Sequence, residues 1–208
     1  MRRTERIFPS GKWQTFWITK DEARYLLYGL SVTIAAAVLL NVLTVAFAMA
    51  LYETESWMMQ FGTDISMLLA LALFPYLIYR FVFGFVPANL PRGREWGVDT
   101  LLFLFVTVLL IWKYPTNIVL HYLAVAVAEE YHFRGLQLPY YEKHGSLARA
   151  VVFSSLIFAV ILHINDNILA NLLVRFPLGL CFAGLRVRFG LGKSILAHWV
   201  YDVVITFL

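Results

Sequence analysis

A chain of 208 residues that is 61% hydrophobic, 16% aromatic and only 14% charged, with a mean hydropathy of +0.72, is too apolar for an ordinary soluble domain and reads as an integral membrane protein. Its formal charge of +4 would suit nucleic acid only if the cations were clustered, and their alternation along the chain, set out below, excludes that partner. The one cysteine, Cys181, rules out an intramolecular disulfide and a thiolate metal cluster, and within an apolar stretch it reads as a small packing residue.

Residues 1–23 are expected to form a cytoplasmic or interfacial segment, with Trp13, Phe16 and Trp17 among the cations of GKWQTFWITK seated at the headgroups. Apolar runs follow near 24–51, 64–86, 98–113, 116–138, 150–164, 168–186 and 194–208, so the expected fold is all-α, a polytopic transmembrane bundle of about seven spans. The first run is longer than a signal-peptide core, starts after Lys20-Asp21-Glu22 and lacks a small-residue cleavage site, so it is expected to stay attached. The third, fifth and seventh runs are short for a full crossing, which leaves tilted, irregular or re-entrant arrangements open. No linker, low-complexity tract or repeat divides the chain; it reads as one structural domain, with scaffold helices over 24–113 and a chemistry-bearing core over 114–208.

The cations fall on alternate loops: Arg2, Arg3, Arg6, Lys12, Lys20 and Arg24; Arg80, Arg92 and Arg94; Arg134, Lys143 and Arg149; Arg186, Arg188 and Lys193. The loops between them hold Glu53, Glu55, Lys113 and Asp166. The positive-inside rule then places the N-terminus in the cytoplasm and, with seven spans, the C-terminus outside. A short chain without organelle signals leans toward a bacterial inner membrane.

An ionisable group at mid-span costs roughly 2.5–3.5 kcal/mol on insertion scales, so each asks for a partner or a task. Glu129, Glu130, His132, Arg134, His163, Arg175, His198 and Asp202 all fall in the last four spans. On a helix, Glu130 and Arg134 share a face in the favourable order for an ion pair. Glu129 is turned about 100° away and has no local cation, so in a partly desolvated cavity it is the candidate base, able to take a proton from water and return it to a leaving group. A purely structural alternative pairs both glutamates with Arg134 and His132. His198 and Asp202 share a face of the last span and His163 closes the fifth, so three apolar helices deliver polar groups that can converge. His121 and His144 read as solvated surface residues.

These residues resemble the CPBP family of intramembrane proteases, which includes CAAX-processing enzymes and bacteriocin-processing and immunity proteins. The resemblance covers roughly 116–206. Glu129, Glu130 and Arg134 fit its Glu-Glu-x-x-x-Arg motif, and His198 with Asp202 fits His-x-x-x-Asn/Asp. The Phe-x-x-x-His motif is displaced, since Phe158 stands five before His163 and Ala159 takes the usual position. The resemblance implies an intramembrane endopeptidase of the glutamic type, in which Glu129 and His163 activate a water, His198 donates to the tetrahedral intermediate, and Glu130 and Arg134 support the geometry. An ionised Asp202 would repel an oxyanion, so it is either protonated or, the preferred reading, accepts from His198 and orients that ring. Arg175, with Asn171 one turn earlier, either balances the cavity through Asp202 or Glu129 or binds a substrate carboxylate or carbonyl.

The implied substrate is a protein or peptide with a membrane-associated segment: a prenylated C-terminus, a leader peptide or the C-terminal anchor of a sorted protein. No cofactor is expected. Glu129 and His132 have the Glu-x-x-His spacing of di-iron bundles, but a second copy is missing, and zinc on Glu and two His is the alternative. Two other classes compete: a proton-coupled transporter, against which the confinement of polar groups to one half counts, and a non-catalytic membrane chaperone or immunity protein.

Overall fold

The computed structural model describes residues 18–87, 93–164 and 167–208, with backbone alone for 93–99. Trp13, Phe16 and Trp17, the cations before Lys20, Arg92, the Arg94 side chain and Asp166 lie outside the described residues.

Seven helical stretches carry the described chain, with no strand among the described residues. They are α1 (Lys20–Ala50), α2 (Ser56–Val82), α3 (Gly93–Lys113), α4 (116–144), α5 (Leu147–Ile161), α6 (Ile168–Phe189) and α7 (Leu191–Ile205). Three of them, α1, α2 and α6, are long and apolar enough to cross a membrane, and the chain is an integral membrane protein. Helices α5 and α7 have 15 residues each and rise about 22 Å, short of a hydrocarbon core of roughly 30 Å.

Three helices share a local device. In α2, α4 and α6 a wide π-helical turn ends two residues before a proline: Leu68–Leu73 before Pro75, Tyr131–Gln137 before Pro139, Asn171–Arg175 before Pro177. Proline has no N–H to donate and its ring collides with the carbonyl four residues back. Widening the preceding turn moves that carbonyl aside, and the helix continues instead of breaking.

Helix α1 begins with a capping box in which the Thr19 hydroxyl accepts from Glu22 N–H and the Glu22 carboxylate accepts from Thr19 N–H. Glu22 also binds Arg149, in the first turn of α5. Further along, Gly29 seats α1 on α4: a Cβ there would lie 2.2 Å from the Tyr141 hydroxyl, which donates to the Leu26 carbonyl at 3.1 Å. Around Tyr140 an aromatic cluster joins Tyr25, Tyr79, Phe83 and Phe85. On the other flank the fully buried Trp199 of α7 donates its indole N–H to the Val119 carbonyl of α4 at 2.8 Å.

Three residues depart from the sequence expectation. Cys181 is exposed on α6, so it is not a packing residue. His121 is not simply solvated: its Nδ1 lies 2.5 Å from Asp64 of α2, with Gln60 and Asn117 bonded alongside. His144 stacks on Tyr25 with ring centroids 3.6 Å apart. Both histidines thus serve as joints between helices, His121 between α4 and α2 and His144 between α4 and α1.

Gly29→Ala should lower the melting temperature of the detergent-purified protein by the equivalent of about 1–3 kcal/mol, the usual cost of overpacking. Adding Tyr141→Ala should recover part of the loss. An unchanged melting temperature in Gly29→Ala would mean that α1 is not seated on Tyr141.

Candidate active site

Glu129 and Glu130 are the last residues of the regular part of α4, and the π-helical turn Tyr131–Gln137 starts at once. Such turns cluster at functional sites because they redirect consecutive side chains. Here His132 faces α1, where its Nε2 lies 2.9 Å from the Thr33 hydroxyl. Thr33 donates to the Gly29 carbonyl at 3.0 Å and accepts from Gln137 at 2.9 Å, so its remaining lone pair accepts from His132 and fixes the proton on Nε2. Glu129 and His132 therefore diverge, and the Glu-x-x-His spacing does not build a shared site. Among the described residues no group of three or more His, Cys, Asp or Glu is arranged to hold a metal ion.

Arg134 and Glu130 are both completely buried, with Nη1 3.1 Å from Oε1. The guanidinium donates through Nη2 to the Gly179 carbonyl of α6 at 3.0 Å and lies 4.4 Å from the centroid of the Phe158 ring of α5, a cation–π contact in a desolvated setting. Gly179 makes this approach possible, since a Cβ would stand 3.2 Å from Nη2 and 3.1 Å from Ser155 Cβ. The Arg134 carbonyl has its own account. Leu138 N–H is taken by Phe133 O, and the next donor position is Pro139, which has none. Arg186 of α6 supplies the missing donor, with Nε 3.1 Å from that carbonyl.

Gly190, at φ +97°, forms the tight connection between α6 and α7 that a side chain would resist. The reversal sets Ser194, His198 and Asp202, spaced by four, against α4 and α6. The Ser194 hydroxyl is 2.5 Å from Glu130 Oε2 and 2.9 Å from the Phe182 carbonyl. His198 Nδ1 is 2.9 Å from Glu130 Oε1. Glu130, facing a guanidinium, is an acceptor, so Nδ1 carries the proton. The other ring nitrogen, Nε2, is 3.3 Å from Asp202 Oδ2 and 3.8 Å from Glu129 Oε2. Phe182 stacks on the His198 ring at 4.6 Å and 19°, and Phe158 meets it edge-on at 5.8 Å.

Exposure separates these groups. Glu130 and Arg134 are 0% exposed and cannot meet a substrate, whereas the side chains of Glu129, His198 and Asp202 keep 9%, 5% and 16%. The structure thus gathers five of the expected residues, Glu129, Glu130, Arg134, His198 and Asp202, around one imidazole. His163 stands in the turn after α5, half-buried, its ring 5.9 Å from that of Phe158. Its carbonyl accepts from Asn171 at 2.7 Å, and Asn171 is in turn bonded by Arg175. Arg175 makes this Asn171 contact within its own helix. Asp202 and Glu129 face His198.

Sequence reasoning passed over Ser194, Phe182, Gly179, Arg186 and Thr33. Only Ser194 left a readable signal, being one turn before His198 on the face that continues to Asp202. Phe158, displaced in the motif, packs against Arg134, His163 and His198 because His163 lies beyond the helix end, where helical spacing no longer applies.

Residues 101–204, half of the chain, match a family model described as type II CAAX prenyl endopeptidase, Rce1-like. The matched stretch runs from α3 almost to the end of α7 and includes every residue around His198. No curated protein and no solved structure matches the chain.

Arg134→Met leaves Glu130 buried beside only neutral donors and His198, and should cost about 3–5 kcal/mol of stability. Arg186→Met, which strands one carbonyl, should cost about 1–3 kcal/mol. Denaturant unfolding in mixed micelles ranks the two, and equal losses would contradict the buried-charge assignment.

Proposed function

The chain belongs to the Rce1-like family of type II CAAX prenyl endopeptidases, and on that premise we propose that it hydrolyses a peptide bond near the C-terminus of a membrane-associated protein, with Glu129 as general base. The observation that carries this reading is the unequal fate of two adjacent acids. Glu130 is locked by Arg134, Ser194 and His198 with no exposed surface, while Glu129 keeps an open edge beside His198 Nε2.

A water held by Glu129, with His163 as its second partner, attacks the scissile carbonyl, and Glu129 takes its proton. Negative charge then develops on the carbonyl oxygen. The Nε2 edge of His198 is the donor for it, held in place by Glu130 on one side and the Phe182 face on the other. Side chains alone supply this chemistry in the mechanism proposed. Glu130, Arg134 and Ser194 never touch the substrate; they fix the ring that does.

An apolar groove of about 790 Å³ runs along α7 between α3 and α6, lined by Val106, Leu185, Phe189, Ala197, Tyr201 and Val204. It lies one helix face round from His198 and Asp202, and suits an isoprenyl chain or an apolar segment attached to the cleaved peptide. His198 sits seven residues into α7, about 10 Å from the end that carries Arg186, Arg188 and Lys193. By the positive-inside rule that end is cytoplasmic, so the reading places cleavage near the cytoplasmic face of a bacterial inner membrane, with the N-terminus on the same side.

With a farnesylated C-terminal peptide in detergent micelles, Glu129→Gln should lower kcat by about 10²–10⁴-fold, the usual contribution of a general base, at an unchanged melting temperature. A chelator should leave the wild-type rate as it is. Cleavage at the wild-type rate by Glu129→Gln would remove the proposed base, and loss of wild-type activity on chelation, restored by zinc, would replace it with a metal-activated water.

A further inference from the structure

Asp202 is not explained by that mechanism. It approaches the same nitrogen of the same ring as Glu129, at 3.3 Å against 3.8 Å, so the two carboxylates are at most about 7 Å apart, and both keep exposed surface. Helix α4 contributes Glu129, Glu130 and Arg134 to this cluster, and α7 contributes His198 and Asp202. The other packed elements bring His163 beyond α5 and Arg175 of α6, both bonded to Asn171, and Arg186 of α6, whose Nε donates to the Arg134 carbonyl, while α7 also carries Lys193 next to Ser194. Helix α3 brings Lys113 only at its far end, and α2 brings Asp64, which is engaged by His121.

Within the cluster Arg134 balances Glu130. Glu129 and Asp202 both face one nitrogen of His198, and ionising both in an apolar bundle is costly. Two carboxylates at one site oppose each other's ionisation, so one holds a proton while the other is ionised.

Resting on the peptidase reading above, we propose that Asp202 and Glu129 are an acid–base pair, with Asp202 the general acid that protonates the leaving amide nitrogen. The step balances. As the water oxygen bonds to the carbonyl carbon, one of its protons passes to ionised Glu129, and the other stays on the new hydroxyl. Asp202 gives its proton to the nitrogen as the C–N bond breaks, releasing an amine and a carboxylic acid. The proton taken by Glu129 then moves to Asp202, and the pair is restored. One water is consumed and no other reactant is needed.

The test is the pH dependence of kcat for wild type, Asp202→Asn, Asp202→Glu and Glu129→Gln on the same peptide, with melting temperatures taken in parallel. The pair predicts a bell for wild type, because one member must be ionised and the other protonated. Asp202→Asn should move the alkaline limb to higher pH, where loss of the His198 Nε2 proton sets it, keep the acid limb, and fall about 10²-fold or more at the wild-type optimum with KM little changed. Asp202→Glu, which keeps the carboxyl, should restore the bell. A uniform fall in kcat with both limbs unmoved, or an alkaline limb moved to lower pH, would overturn the proposal and leave Asp202 as a residue that only orients His198, as would full activity of Asp202→Asn at every pH. Full activity of Glu129→Gln would instead overturn the peptidase base itself, so the two failures are distinguishable.

Discussion

Glu130 is a carboxylate with no exposed surface in a bundle of apolar helices, and the positions of four helices are fixed by what it requires. It is held from its own helix by Arg134 and from α7 by Ser194 and His198. Arg134 in turn draws in α6 through the Gly179 carbonyl and α5 through the Phe158 ring. Removing Arg134 leaves the Glu130 charge uncompensated where water cannot reach it, and removing Ser194 or His198 strips a donor from that carboxylate. The same constraint sorts function from support. Groups needed to neutralise Glu130 are spent on it, and the groups left over, Glu129, Asp202 and the Nε2 edge of His198, are those that reach the surface together.

The backbone that delivers these side chains is irregular for a covalent reason. Pro75, Pro139 and Pro177 each sit two residues after a π-helical turn, and the turn before Pro139 carries His132, Arg134 and Gln137 inward. A regular helix through this stretch would meet the proline ring with the Gly135 carbonyl. The widened turn avoids that contact and leaves the Arg134 carbonyl without a main-chain donor, which Arg186 supplies. Arg186, one of the basic residues near the α6–α7 connection, is thereby also tied to the site.

Much of this was legible in the chain itself. Helix number and order followed from apolar run length, and the boundaries moved by only a few residues except where α2 starts earlier and α4 runs on to His144. The contact of Glu130 with Arg134 and of His198 with Asp202 followed from helical spacing alone. Contacts between helices did not. Nothing in spacing tells that His198 Nδ1 meets Glu130 or that Thr33 of α1 receives His132, since each depends on how helices distant in sequence are rotated against one another. Helix α1, far from the core helices in sequence, supplies Thr33 and the Gly29 carbonyl to the buried network. The prolines were visible throughout. Read as markers of widened turns, they would have flagged the segment 131–137 in advance.

The orientation of one imidazole carries the central claim, that a neutralised Glu130 holds His198 so that its other edge serves Glu129 and Asp202. The ¹⁵N spectrum of protein labelled at its histidines, with His198 assigned by His198→Gln, reports this directly. The structure predicts a protonated, hydrogen-bonded Nδ1 whose resonance moves when Glu130 is changed to Gln while His144 stays in place. An unprotonated Nδ1 in the wild-type protein would contradict it.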